Sequence, residues 1–156
     1  MEKILISACL LGEKVRYDAQ AKPVIHHLIE SWYLQGRLVS VCPEVAGGLS
    51  VPRAAAERRG NQIISIQGQD VSDAFQNGAL IALKLVQTNQ IKLALLKANS
   101  PSCGNEHIYD GQFRGILIEG EGVTAHLLRQ AGIQVFNEHQ LSQLQQALSA
   151  IESDFR

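Results

Sequence analysis

The sequence predicts an α/β fold: an open, mainly parallel sheet flanked by helices, Rossmann-like or flavodoxin-like. Three observations predict it. Short aliphatic runs alternate with longer amphipathic stretches, glycine and proline mark the junctions, and no repeat or low-complexity segment interrupts the pattern. Strand–helix–strand units with right-handed crossovers leave that alternation in a chain. At 156 residues, a single α/β domain over 1–156 is expected, large enough to bury its core without staples.

Residues 3–8 are aliphatic and β-branched and give way to Cys9-Leu10-Leu11-Gly12, which predicts a short buried strand ending at a cysteine. Over 22–35, Val24, Ile25, Leu28, Ile29, Trp32 and Tyr33 recur at three- and four-residue spacing between Pro23 and Gly36, the pattern of an amphipathic helix. Residues 37–42 form a second aliphatic run. Pro43 lacks an N–H and closes that strand, again at a cysteine. Gly47-Gly48 and Pro52 mark 45–60 as a long loop, and 62–67 reads as a small strand closed by Gly68.

Asp70 offers a cap for a helix reaching Asn89 and carrying Val71, Phe75, Leu80, Ile81, Leu83, Leu85 and Val86. Gly78 lowers the intrinsic stability of that helix by about 1 kcal/mol relative to Ala. Residues 92–97 predict a third buried strand, which runs into the turn that carries Cys103. A helix opens at Gly122-Val123 and runs to Gln130, and a last short strand covers 133–136. A closing helix over 138–151 turns Leu141, Leu144, Leu148 and Ile151 inward.

Composition narrows the function. Hydrophobic residues make up 46% and charged residues 19%, and 14 Lys+Arg against 15 Asp+Glu leave a formal charge of -1. No field for a polyanion follows, and with only 5% aromatic residues no extended nucleic-acid surface is expected. The apolar run at 4–9 is too short for a signal segment, and nothing approaches the roughly 20 apolar residues that span a bilayer. A cytoplasmic protein without membrane contact is expected. In a reducing compartment three cysteines are not structural disulfides, and an odd number cannot pair within one chain.

Cys9, Cys42 and Cys103 each follow a predicted strand. In open parallel sheets ligands bind outside the carboxyl ends of the strands, where loops converge. No local CxxC motif unites the three, so each is either a buried thiol or part of one site assembled by the fold. Three thiolates are one short of a closed metal shell and leave a coordination position open. Glu44 stands two residues from Cys42, where a carboxylate can handle a proton beside a metal. Asn99-Ser100-Pro101-Ser102-Cys103-Gly104 surrounds the third thiol with hydroxyls and an amide suited to orienting a polar substrate, Ser100 and Ser102 among them. Arg16 and Asp18 after Cys9, and Gly47, Gly48 and Arg53 after Cys42, are candidates for gripping an anion or a planar heterocycle. The five histidines are dispersed and read as solvent-edge or locally bonded residues, His107 alone lying near a cysteine motif.

The motifs S-A-C-L-L-G at 7–12 with V-R-Y-D at 15–18, C-P-E-V with G-G-L over 42–49, and N-S-P-S-C-G at 99–104 occur together and in order. So do Pro52-Arg53, G-Q-D-V at 68–71, I-Y-D-G at 108–111 and G-V-T-A-H-L-L-R at 122–129 leading to G-I-Q-V-F. Nearly the whole chain thus resembles the TudS-like thiouracil desulfurase family. It departs from the family pattern at Ala19, where glycine is common, and at Ser50, Ala54 and Ala55, where prolines are more usual.

The resemblance implies a [4Fe-4S] cluster held by Cys9, Cys42 and Cys103 with one iron left open, and non-redox removal of sulfur from a thiolated pyrimidine such as 2-thiouracil. Uracil and hydrogen sulfide would be the products, with Glu44 and Ser100 matching the catalytic roles. The alternatives from other classes are a non-catalytic metal or iron–sulfur binding module, a domain acting on thiolated bases within RNA, and a structural α/β domain with three buried thiols.

Overall fold

The computed structural model describes residues 1–153. Strand β1 (Ile4–Ser7) lies at the middle of a four-stranded sheet, paired in parallel with β2 (Leu38–Val41) on one side and β5 (Leu93–Leu95) on the other. β8 (Gln134–Phe136) extends the sheet beyond β5, also parallel, so the order is β2-β1-β5-β8. The sheet reverses its direction of growth at β1, which places a crevice at the carboxyl ends of β1 and β5. The expected open parallel α/β architecture is therefore present.

Alternation along the strands divides the core in two. Ile4, Ile6, Leu93 and Leu95 face one side and pack with Ile29 and Trp32 of α1 (His27–Leu34) and with Leu141, Leu144 and Leu148 of α5 (Leu141–Ser153). Leu5, Ala94 and Leu96 face the other and pack with Ala82 and Val86 of α3 (Ser72–Thr88) and with Ala125 and Leu128 of α4 (Val123–Gln130). Both faces of the sheet are buried, which is why its strands read as continuous apolar runs. No helix among the described residues is long and apolar enough to cross a membrane.

Several boundaries differ from the sequence expectation. The helix expected from residue 22 begins at His27, because the Lys22 and Val24 N–H groups bond to Cys9 O and Leu10 O, while His26 Nδ1 caps the Leu28 N–H. The closing helix begins at Leu141 rather than 138, because the Asn137 side chain accepts from the His139 N–H and its carbonyl from the Gln140 N–H. In α3 the buried stripe is Phe75, Gly78, Ala79, Ala82 and Val86, whereas Leu80 and Ile81 are exposed. Small residues line that stripe for a reason. A Cβ on Gly78 would stand 1.9 Å from the Pro43 carbonyl oxygen, and one on Gly47 would stand 1.9 Å from that of Ala74. The short helix α2 (Pro43–Ala46) thus lies directly on α3.

The segment 45–60, expected as loop, ends in a strand, β3 (Ala56–Arg59), which forms an antiparallel hairpin with β4 (Gln62–Ser65). A second hairpin, β6 (His107–Tyr109) with β7 (Leu117–Glu119), was not legible from the sequence at all. The two hairpins are tied together: Glu57 Oε1 accepts the N–H groups of Gly111 and Phe113 at 3.0 and 3.1 Å, and Arg59 Nε donates to Gly111 O at 2.6 Å.

Candidate active site

The three cysteines lie beyond three adjacent strands, β2, β1 and β5, at their carboxyl ends. Cys9 sits in a 3-10 turn (Ala8–Leu11) directly after β1, closed by Gly12 at φ 95°. Its carbonyl accepts the N–H groups of Gly12 and Lys22 and so folds the 12–22 loop back over the thiol. Cys42 leaves β2 as the N-cap of α2, and its Sγ is 3.8 Å from Val15 O of that same loop. Cys103 lies in the turn after β5. There Ser100 Oγ accepts the N–H groups of Ser102 and Cys103, both at 3.1 Å.

All three thiols line one cavity of about 580 Å³, with Glu44, Ser100, Arg16 and Arg53 on its walls. Each is free of disulfide bonding. Burial raises every one of their pKa values, Cys9 to about 11 and Cys103 to about 12, and each thiolate is further opposed by a neighbour. Cys42 disfavours the charge on Cys9, and both disfavour that on Cys103. The Lys97 and Arg16 cations work in the opposite sense on Cys9. Buried thiols on one open cavity, two of them raised further by neighbouring thiols, mark a place where a cation would relieve the repulsion.

Among the described residues no three His, Cys, Asp or Glu side chains are close enough to grip a single metal ion. One tetrahedral ion draws its thiolates to within about 4 Å of one another. The donor set here is three soft thiols on a roomy cavity with no imidazole on its walls. That set fits an iron–sulfur cluster, which spreads its ligands over several metal atoms.

Glu44 occupies the first turn of α2, and its Oε1 accepts from Arg53 Nε at 3.3 Å. Burial raises the Glu44 pKa, and the Arg53 cation opposes that rise. Among the described residues, Oε2 has no hydrogen-bond partner. Arg53 is itself buried, and its remaining donors go to Ser50 O and Val15 O, both at 3.0 Å. Its guanidinium therefore joins the Cys42 loop to the Cys9 loop. Ser100 Oγ has its acceptor side filled by two backbone N–H groups, which leaves its hydrogen to be donated into the cavity.

The remaining residues singled out from the sequence are placed differently. Arg16 lines the cavity, 5.6 Å from the Tyr17 ring and 3.6 Å from Asp18 Oδ2, whereas Asp18 is off the wall and accepts the Gln20 N–H. Gly47 and Gly48 are off the wall too, with their N–H groups bonded to Pro43 O and Val45 O. Ser102 is fully buried away from the cavity and paired with Thr124 Oγ1 at 2.8 Å.

The structure adds residues that the sequence did not indicate: Ser7 and Lys97 beside the thiols, Tyr17 on the loop after Cys9, and Tyr109 and Phe113 on the second hairpin, all lining the cavity. Ser7, Tyr17 and Tyr109 stood inside the quoted motifs. Nothing in those motifs distinguished them from strand and turn residues.

A family model described as 2-thiouracil desulfurase matches residues 4–140. The uncharacterized protein YbbK of Bacillus subtilis (strain 168) is 37% identical, over 90% of this chain and 99% of its own. The solved structure of the [4Fe-4S]-dependent thiouracil desulfidase TudS superposes with a TM-score of 0.95 at 49% identity, covering 96% of this chain and 99% of that one.

Proposed function

The chain belongs to the 2-thiouracil desulfurase family, and on that premise we propose that it is a [4Fe-4S]-dependent enzyme removing sulfur from a thiolated pyrimidine. Thiocarbonyl and water become carbonyl and hydrogen sulfide without change of oxidation state. The observation that carries the reading is the convergence of three free thiols on one cavity with Glu44 and Ser100 beside them.

Cys9, Cys42 and Cys103 would hold the cluster and leave one iron open. Bound there, the cluster supplies a thiophilic Lewis acid for the thiocarbonyl sulfur. Because burial holds all three thiols protonated at neutral pH, loading must release their protons. The Glu44 carboxylate, oriented through Oε1 by Arg53, turns Oε2 to a water molecule and takes its proton as the ring carbon is attacked. The Ser100 hydroxyl donates to a ring heteroatom and fixes the heterocycle. Arg16 with Tyr17 offers a planar cationic surface at the cavity wall. Asp18, Gly47, Gly48 and Ser102 lie off the cavity wall and hold the loops that carry the site rather than touching the substrate. Three reduced thiols and an open cluster suit a cytoplasmic enzyme.

The test is anaerobic reconstitution with iron and sulfide, followed by assay of sulfide and uracil from 2-thiouracil. Stoichiometric appearance of both is expected. A protein that takes up the cluster and releases no sulfide from thiolated pyrimidines would overturn the activity.

A further inference from the structure

Ser7, the last residue of β1, is buried, and its hydroxyl has two partners. It accepts the Lys97 N–H at 2.9 Å, and its hydrogen goes to Cys103 Sγ at 3.5 Å. Lys97 lines the thiol cavity, and its Nζ donates to Ala98 O at 3.0 Å and meets Glu138 Oε2 at 2.9 Å. Glu138 lies just past β8 with 8% of its side chain exposed, and its other oxygen accepts the Ala98 N–H at 2.7 Å. A carboxylate from the fourth strand thereby clamps the segment after β5 at two points. Of the two members of the pair, Lys97 stands on the wall of the thiol cavity and Glu138 lies behind it, off the wall. The pair presents its positive end to the thiols.

We propose that Ser7, Lys97 and Glu138 form a positioning assembly that draws negative charge away from the thiolates holding the cluster. Ser7 donates to the Cys103 sulfur, Lys97 brings its charge to the cavity that the thiols line, and Glu138 holds Lys97 and the Ala98 N–H from behind. The inference rests on the cavity being the iron–sulfur site. None of the three reaches the reacting carbon; they act through the ligand sulfurs. Hydrogen bonds and cations at ligand sulfurs stabilise the more negative, reduced state of a cluster and fix the orientation of its ligands. In a reaction without electron transfer, the same withdrawal of charge keeps the open metal a strong Lewis acid for sulfur.

The experiment compares anaerobically reconstituted wild type with Ser7→Ala, Ser7→Thr, Lys97→Gln and Lys97→Arg, by the midpoint potential of the cluster and the rate of iron release to a chelator. Ser7→Ala and Lys97→Gln are expected to lower the potential and to speed iron release several-fold. Ser7→Thr and Lys97→Arg keep the hydroxyl and the charge and stay near wild type. The Lys97 side chain reaches solvent, so Lys97→Gln carries the test even if Ser7→Ala disturbs β1. Unchanged potentials in both Ser7→Ala and Lys97→Gln would overturn the assembly while leaving the cluster site intact. A wild type that takes up no iron–sulfur cluster would overturn the reading of the site itself.

Discussion

One wall of the cavity grows from the carboxyl ends of β1, β5 and β2; β1 and β5 are buried on both faces of the sheet, and β2 is half-buried beside them. The other is formed by Tyr109, Phe113 and their neighbours on two small hairpins, joined by hydrogen bonds from Gly111 and Phe113 to Glu57. Burial fixes the first wall, and a handful of polar contacts fixes the second. On the proposed function, the chemistry that tolerates no movement sits on the buried wall, with the three thiols, the Glu44 carboxylate and the Ser100 hydroxyl. The hairpin wall presents the Tyr109 and Phe113 rings to the cavity, and on the proposed function a small displacement there would change fit rather than reaction.

The sharpest way to break this division is to remove a ligand. Cys42→Ser is expected to abolish both cluster uptake and sulfide release, because the proposed set of three thiolates is already one short of the four that ordinarily hold a [4Fe-4S] cluster. Metal analysis and visible absorption after anaerobic reconstitution check it. A variant that still loads and turns over would show that the buried wall does not carry the cofactor. Next in size is Glu44→Gln, which keeps the shape and removes the proposed base. Cluster content should match wild type while kcat falls by about a hundredfold to ten-thousandfold, the usual span for general acid–base groups. Loss of the cluster in this variant would instead make Glu44 a structural member of the wall.

The same contrast explains what the sequence disclosed. β1 and β5 were legible because strands buried on both faces leave runs such as Ile4-Leu5-Ile6 and Leu93-Ala94-Leu95, and the half-buried β2 because Pro43 closes its short aliphatic run; each run leads to a cysteine. Glu44 was legible by adjacency to Cys42, and Ser100 by adjacency to Cys103. The hairpins were not, since β3 consists of Ala56-Glu57-Arg58-Arg59 and β7 exposes Leu117 and Ile118 to solvent. Neither carries the alternation that announces a half-buried strand. Ser7 and Lys97 escaped for another reason: their partners lie about ninety residues away, and only the pairing of β1 with β5 brings them together. Helix propensity misread Gly78 as a weakness, whereas close contact with Pro43 requires it.

That contact gives a third prediction, one that tests how rigidly the buried wall is held from behind. On propensity alone Gly78→Ala would stabilise α3 by about 1 kcal/mol. The added methyl would stand 1.9 Å from a backbone oxygen of α2, where nothing flexible can yield. Overpacking of this kind costs about 1–3 kcal/mol, so the sign should reverse and the melting temperature should fall. Because α2 carries Glu44 and follows Cys42, the variant should also lose part of its kcat. A stabilised protein with full activity would mean that α2 moves freely against α3.

The smallest effect is expected on the hairpin wall. Glu57→Ala removes the acceptor shared by the Gly111 and Phe113 N–H groups, and with it the tie that sets Phe113 at φ 55°. Hydrogen bonds to a charged group each contribute about 1.5–3 kcal/mol, but here both N–H groups can turn to water once the hairpin loosens, which recovers most of that. A rise in KM of about tenfold with cluster content and potential unchanged is therefore expected, the signature of lost binding surface. The decisive comparison is with Glu44→Gln. If Glu57→Ala lowers kcat as much as Glu44→Gln does, the hairpin wall takes part in the chemistry, and the division between a reacting wall and a fitting wall fails.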